Sequence, residues 1–303
     1  MNDGVLHRME VRVERTFMGP SEAQVLERVV DTARYPLSKP GSAAWRDVVA
    51  QARAELASVG CTVLENFARP QRCDELRAEC ARIAPRAYYQ VETVNAYNID
   101  LDTPLPAGHP GRRTMKRGNA FVARDLIPEE FIIARLYTSP AFQRFVADCF
   151  ALDKLHPLGD KLSGLVLNVV KPGMEHPWHF DTNEFTISML TQQAHGGGIF
   201  QYCPNIRSAE AENFDDVRAV LDGQGDHLVR RLTLRPGDLQ LFTGRYSLHR
   251  VSRVEGSLGR HTAIFAYSKQ PEIVGSVART RQLFGRALPQ HRQRSVRVDQ
   301  LLD

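Results

Sequence analysis

LSGLVLNVVKPGMEHPWHFDTNEFTISMLTQ, residues 162–192, contains two short runs of alternating and β-branched residues around a polar, histidine-rich centre. LSGLVLNVV and EFTISMLTQ have the composition of strands, and Pro172-Gly173 marks a turn after the first. The same texture continues downstream in GGIFQYCP, LVRRLTLRPGDLQLF and HTAIFAYS, each bounded by Gly or Pro-Gly. Evenly spaced short strands with such turns predict an antiparallel sandwich or barrel over about residues 160–270. One segment interrupts them: Ser208–Asp222 reads as a helix.

Upstream the period changes. Ser21–Val30 reads as a short helix. Ser42 reads as the N-cap of AAWRDVVAQARAELASVG, in which Trp45, Val48, Val49, Ala52 and Leu56 follow the 3.6-residue repeat until Gly60. CTVLENF reads as a strand and RPQRCDELRAECARIA as a helix, with Cys73, Leu76, Cys80 and Ile83 inward. YYQVETVN reads as a strand and GHPGRRTMKRGN as a long loop. IPEEFIIARLY and SPAFQRFVADCF read as helices, the second capped by Ser139. The expected organisation is an N-terminal arm at 1–40 and one domain at 41–303. That domain divides into a helical lead-in (41–160), a β core (about 160–270) and a C-terminal extension (271–303).

Composition narrows the function classes. Of 303 residues, 43% are hydrophobic and 24% charged, ordinary values for a chain with a sizeable core. A net charge of +4 is too small an excess to indicate a nucleic-acid or membrane partner. The N-terminus lacks the apolar stretch of a secretory signal, and no run approaches 18 apolar residues. Five cysteines, at 61, 73, 80, 149 and 203, include no Cys-x-x-Cys spacing. A disulfide framework or structural zinc is therefore not expected, and a reducing, cytoplasmic setting is.

Within HPWHFDTNEF, His179 and Asp181 are two residues apart. On an extended strand such residues point to one face, so an imidazole and a carboxylate can reach one metal ion. His249, after PGDLQLFTGRYSL, is the candidate third ligand. Two histidines and a carboxylate on one face of an octahedron leave three positions open, which suits Fe(II) with a chelating co-substrate and O₂. A hydrogen-bonded core histidine is the competing role for His179.

A chelating dicarboxylate such as 2-oxoglutarate needs a fixed cation for its far carboxylate. Arginine serves better than lysine because its planar fork pairs bidentately. Arg260 opens the strand RHTAIFAYS 11 residues after His249, and Thr262 shares its face. A solvated strand-end charge is the alternative for Arg260. Arg250 and Arg253 are rivals with less suitable placement. Asn168, on the strand before the histidine motif, is a candidate donor to the co-substrate or else a structural amide.

At His179-Phe180-Asp181, the PGDLQLF strand leading to His249, and Arg260 with Thr262, the chain resembles the Fe(II)/2-oxoglutarate-dependent dioxygenase superfamily. The resemblance implies a mainly β protein with N-terminal helices and a double-stranded β-helix (jelly-roll) core. It also implies oxidation of an unactivated C–H bond, with succinate and CO₂ as co-products. The N-terminal helices and CTVLENF are similar to phytanoyl-CoA-hydroxylase-like members. HPWHFDTNEFTISMLTQ and FQYCPNIR resemble a small-molecule group that includes amino-acid halogenases acting on free lysine. In those halogenases the carboxylate ligand is a glycine, which leaves room for chloride. This chain has Asp181 there, so hydroxylation of a small polar metabolite, such as a free amino acid or derivative, is the expectation.

Candidate substrate contacts are His176, Asn183, which has the parity of the metal face, and Arg117, from the basic cluster Arg112, Arg113, Lys116 and Arg117. The alternatives are a turn histidine and a solvated loop. Two other functions are compatible with the ligands alone: a non-oxygenase, cupin-like metal enzyme, and a catalytically silent jelly-roll binding protein. Arg260 argues against the first, and an intact ligand set against the second.

Overall fold

The computed structural model of the protein describes residues 22–292. Its centre is two facing antiparallel sheets. The larger has six strands, in spatial order Cys61–Leu64, Leu239–Phe242, Thr186–Gln192, Arg260–Phe265, Leu165–Val170 and Asn119–Val122. The smaller has four, in the order Arg230–Leu232, Phe200–Tyr202, His249–Val251 and His176–His179. This is the expected jelly-roll, mainly β with helices gathered N-terminally.

The two-residue period of the strands separates core from cavity. Leu165, Leu167, Val169, Ile187, Met189, Leu239, Leu241, Ala263 and Phe265 point outward and are buried under the helices. Their alternates Asn168, Thr186, Ser188, Gln240, Phe242, Arg260, Thr262 and Ile264 point inward and line a cavity between the sheets. The helix Ala43–Val59 covers the outer face through Trp45, Val49, Ala52 and Leu56. Ser42 Oγ accepts from Trp45 N at 3.3 Å, as the sequence indicated, and such a cap is worth about 1 kcal/mol. At the other end Gly60 takes the left-handed conformation (φ 69°). A Cβ there would lie 2.7 Å from Asn205 Oδ1 and Thr243 Oγ1.

Four expectations change. Residues 22–40 are not an arm: Leu26, Val29 and Val30 form an apolar stripe that joins Trp45 and Phe67 in the main core. Residues 1–21 and 293–303 lie outside the described residues. The expected loop at 108–119 is partly strand, since Thr114–Arg117 pairs with Glu92–Asn95 and Asn119–Val122 joins the large sheet. The helix expected at Ser208–Asp222 spans only Phe214–Leu221, because Asn213 enters it with φ 49°. LVRRLTLRPGDLQLF is two strands in different sheets, divided at the turn Arg235–Asp238.

The segment after the last core strand is tied back by a buried polar knot. Asp160 accepts from Leu162 N (2.8 Å), Ser163 N (3.0 Å) and Gly275 N (3.0 Å), and pairs with His291 Nε2 at 3.0 Å. Burial alone would raise the Asp160 pKa, but these donors outweigh it and hold the carboxyl below its usual range. Asp160→Ala is expected to cost about 3 kcal/mol in urea unfolding at neutral pH, because it leaves the buried donors and His291 unpaired. A depressed carboxyl stabilises the fold above its unfolded pKa. The difference between wild type and variant should therefore shrink as pH falls through the folded pKa.

Candidate metal centre and cavity

The small sheet places His249 directly opposite His179 on the neighbouring strand. Both imidazoles are fixed at Nδ1: His179 by the carbonyl of Pro177 (2.8 Å) and His249 by that of Ser247 (2.9 Å). With Nδ1 donating, each Nε2 keeps its lone pair, which is how ligand histidines are oriented. Asp181 Oδ1 lies 3.7 Å from His179 Nε2 and 3.5 Å from His249 Nε2. One ligand atom from each of the three residues falls within 4.8 Å of the others. Burial, then His249, pushes the His179 pKa down to about 3, which keeps that ring neutral. Burial acts to raise the Asp181 pKa, but the neighbouring His249 and the Thr186 hydroxyl outweigh it and hold the carboxyl well below its usual range. Two imidazoles and one carboxylate form a donor set for a divalent transition metal with open positions, as Fe(II) requires.

The backbone around this site is anchored from behind. Phe180, between the two ligands of the motif, turns away from them and is fully buried, with the Arg207 guanidinium 3.8 Å from its ring centre and Tyr97 packed alongside at 5.4 Å. Its N–H donates to Ala96 O (2.8 Å), and the Asp181 N–H donates to Gly244 O (3.1 Å). Phe242 meets the His249 ring edge-on at 4.8 Å.

Arg260 lines the same cavity and is 5% exposed. Its Nη1 donates to Thr262 Oγ1, and no carboxylate pairs with it among the described residues. Burial lowers its pKa to about 10, so it remains a cation at neutral pH. An unpaired buried cation is costly, and the cavity therefore has the chemistry of an anion site beside a metal site. Asn168 lies cross-strand from Thr262. Its Oδ1 accepts from Asn119 Nδ2 (3.1 Å), and its own amide N–H₂ has no protein acceptor among the described residues.

His176 also lines the cavity, with its ring stacked on His179 at 3.8 Å. Residues three apart on a regular strand face opposite ways. A register shift, by which His176 rather than Pro177 pairs with Val251, turns both rings inward. Asn183 is exposed and does not line the cavity. Its parity with Asp181 has no meaning, because the strand ends at His179 and the chain bends. Arg117 is buried but lies outside the cavity lining. It pairs with Glu92, and its Nε and Nη1 have no partner among the described residues. The rest of the basic cluster is tied to the scaffold: Arg112 to Leu105 O (3.2 Å), Arg113 to Asp222 (2.5 Å) and Lys116 to Thr93 (2.8 Å). Of the rivals to Arg260, Arg250 faces outward over Trp178 at 4.7 Å.

Three polar cavity residues escaped the sequence reading: Thr186, Ser188 and Gln240. Ser188 Oγ donates to Gln240 Oε1 at 3.1 Å. Their signal was present in the alternation, as the polar positions between apolar ones in TISML and DLQLF.

A model of the Halogenase D family matches residues 44–282. No curated protein sequence matches the chain. Among solved structures, the epimerase SnoN from nogalamycin biosynthesis, in complex with Fe3+, alpha ketoglutarate and nogalamycin RO, is similar at 12% identity. The likeness covers 73% of this chain and 84% of that one, with TM-score 0.50. A 2OG-Fe(II) oxygenase family oxidoreductase from Burkholderia pseudomallei is similar at 17% identity, over 77% and 93% of the two chains, with TM-score 0.46. These likenesses concern the fold. The family match over most of the chain, on a jelly-roll that carries the histidine–aspartate–histidine site, identifies the chain as a member of the Halogenase D family and an enzyme of the iron- and 2-oxoglutarate-dependent oxygenase class.

Proposed function

We propose that this oxygenase hydroxylates an unactivated C–H bond of a small polar metabolite, with free amino acids and their derivatives as the first class to test. The reading is carried by one juxtaposition: the buried cation of Arg260, unpaired among the described residues, shares a cavity with the three convergent ligand atoms of His179, Asp181 and His249. When bound, iron and 2-oxoglutarate supply the oxidation, with succinate and CO₂ as co-products. His179, Asp181 and His249 hold the metal. Arg260, steadied by Thr262, takes the far carboxylate, and the Asn168 amide donates to the co-substrate. Phe200, Phe242, Val251 and Ile264 give the cavity apolar walls that exclude water.

Asp181 bears on the type of reaction. A carboxylate oxygen stands 3.5–3.7 Å from both histidine nitrogens, in the position a halide would need. This supports hydroxylation, while the family match favours halogenation as the second reading. His176, on the cavity wall, is the candidate contact for a substrate carboxylate. Arg117 flanks it, since the next residue, Gly118, donates its N–H to Glu175 O at 3.1 Å. The Arg117 Nε and Nη1, unpartnered among the described residues, support an anionic group on the substrate. Five unpaired cysteines favour the cytoplasm as the setting, and no described helix is long and apolar enough to cross a membrane.

Anaerobic addition of Fe(II) and 2-oxoglutarate should give a weak visible charge-transfer band, and its absence would overturn the co-substrate assignment. Screening amino acids and small anionic metabolites by succinate release should identify the substrate, with chloride in the assay to detect a halogenated product. Asp181→Ala should abolish turnover. Arg260→Ala should raise the KM for 2-oxoglutarate roughly 30-fold or more, the scale of losing one partner of a buried charge pair. An unchanged KM would remove Arg260 from its role.

A further inference from the structure

We infer that Thr186 and Gly244 form a clamp that holds Asp181 as a one-oxygen ligand and so sets which coordination positions stay open. The inference rests on the reading of Asp181 as a metal ligand. Thr186 opens the strand Thr186–Gln192, and its side chain lines the cavity. Its hydroxyl donates to Asp181 Oδ2 at 2.6 Å, while the other oxygen, Oδ1, faces the two histidines. An oxygen that accepts a short hydrogen bond from a strand-fixed hydroxyl is held back from the metal, and the carboxylate cannot swing to chelate with both oxygens.

Gly244 closes the clamp from the other side. A Cβ at this position would lie 2.0 Å from Asp181 Oδ2 and 2.7 Å from its Cγ. Gly244 is not among the glycines with positive φ, so space rather than backbone conformation requires glycine here. Its carbonyl also accepts the Asp181 N–H at 3.1 Å, which ties the ligand's main chain to the same residue. The carboxylate is thus located by a hydroxyl, a backbone acceptor and the absence of one side chain. A facial site with a two-oxygen carboxylate would have one position fewer for co-substrate and O₂. Thr186 is a positioning residue, acting through Asp181.

The test uses the full chain and Co(II) alone, read by its ligand-field absorption and dissociation constant, so that no turnover is needed. Thr186→Val should weaken Co(II) binding about 10- to 100-fold, the range for losing a partner that orients a ligand, and should shift the absorption bands. Thr186→Ser, which keeps the hydroxyl, should restore both within a few-fold. Gly244→Ala should weaken binding by displacing the carboxylate, with the far-UV circular dichroism of wild type retained. If Thr186→Val does not fold, Thr186→Ala removes the same donor without filling the space and is read in the same way. Wild-type affinity and spectrum in Thr186→Val or Thr186→Ala would overturn the clamp while leaving the metal site intact. A wild-type protein that takes up no Co(II) would instead overturn the metal reading on which the clamp depends.

Discussion

The functional centre depends on one cross-strand pair. His179 and His249 lie opposite each other in neighbouring antiparallel strands, with ring centres 4.1 Å apart. Their separation of 70 residues in sequence is closed by sheet register alone. A shift of one residue in either strand would turn one imidazole to the outer face, because side chains alternate with period two. The register is secured on the far side of the same strands. Trp178, Phe180 and Leu248 point away from the ligands into a separate apolar cluster with Tyr97 and Val217. The packing of that cluster is therefore a condition for metal geometry on the opposite face.

The two ends of the cavity are built by different means. At the metal end the ligands come from the small sheet and the segment after it, and backbone carbonyls set the histidine tautomers. At the Arg260 end the groups come from the large sheet, where Asn168 and Thr262 are paired neighbours and Arg260 follows on the same face. The N-terminal helices buttress the outer side of that sheet, while on its inner side Phe284 of the helix Val277–Phe284 packs on Phe121 and Val166 and leaves the neighbouring positions to the cavity. The inward positions are thus free to carry polar groups, and the outward ones carry the apolar load.

Much of this was legible from the chain. Strand period, the spacing of His179 and Asp181, and the parity of Arg260 and Thr262 each depend on local geometry, and local geometry was enough to bring them into one cavity. What escaped required tertiary information. His176 was a candidate from the sequence, but the register shift that turns it inward is not revealed by spacing, and the parity rule failed for Asn183 once the strand had ended. Arg117 was a candidate substrate contact on an expected loop, and its burial on a strand beside Glu92, 25 residues earlier, could not be read from the chain. The shortened helix at Phe214–Leu221 follows from the left-handed turn at Asn213. Thr186, Ser188 and Gln240 are ordinary residue types whose importance lies in which side of a strand they occupy.

The solitary guanidinium in the cavity also shapes how this protein can evolve. Among the described residues it meets no counter-charge; such a buried charge works against folding, and replacing it by an apolar side chain of similar volume is the kind of change that raises stability. Selection for robustness alone would thus favour removing Arg260, whereas the proposed co-substrate site requires it. The fold tolerates a locally unfavourable residue because packing elsewhere, around Trp45, Phe67, Phe142 and Phe145, supplies the margin. On that reading stability and function are opposed at this position, and a more robust descendant of this chain that had lost Arg260 would keep its jelly-roll and lose the proposed anchor for the acid.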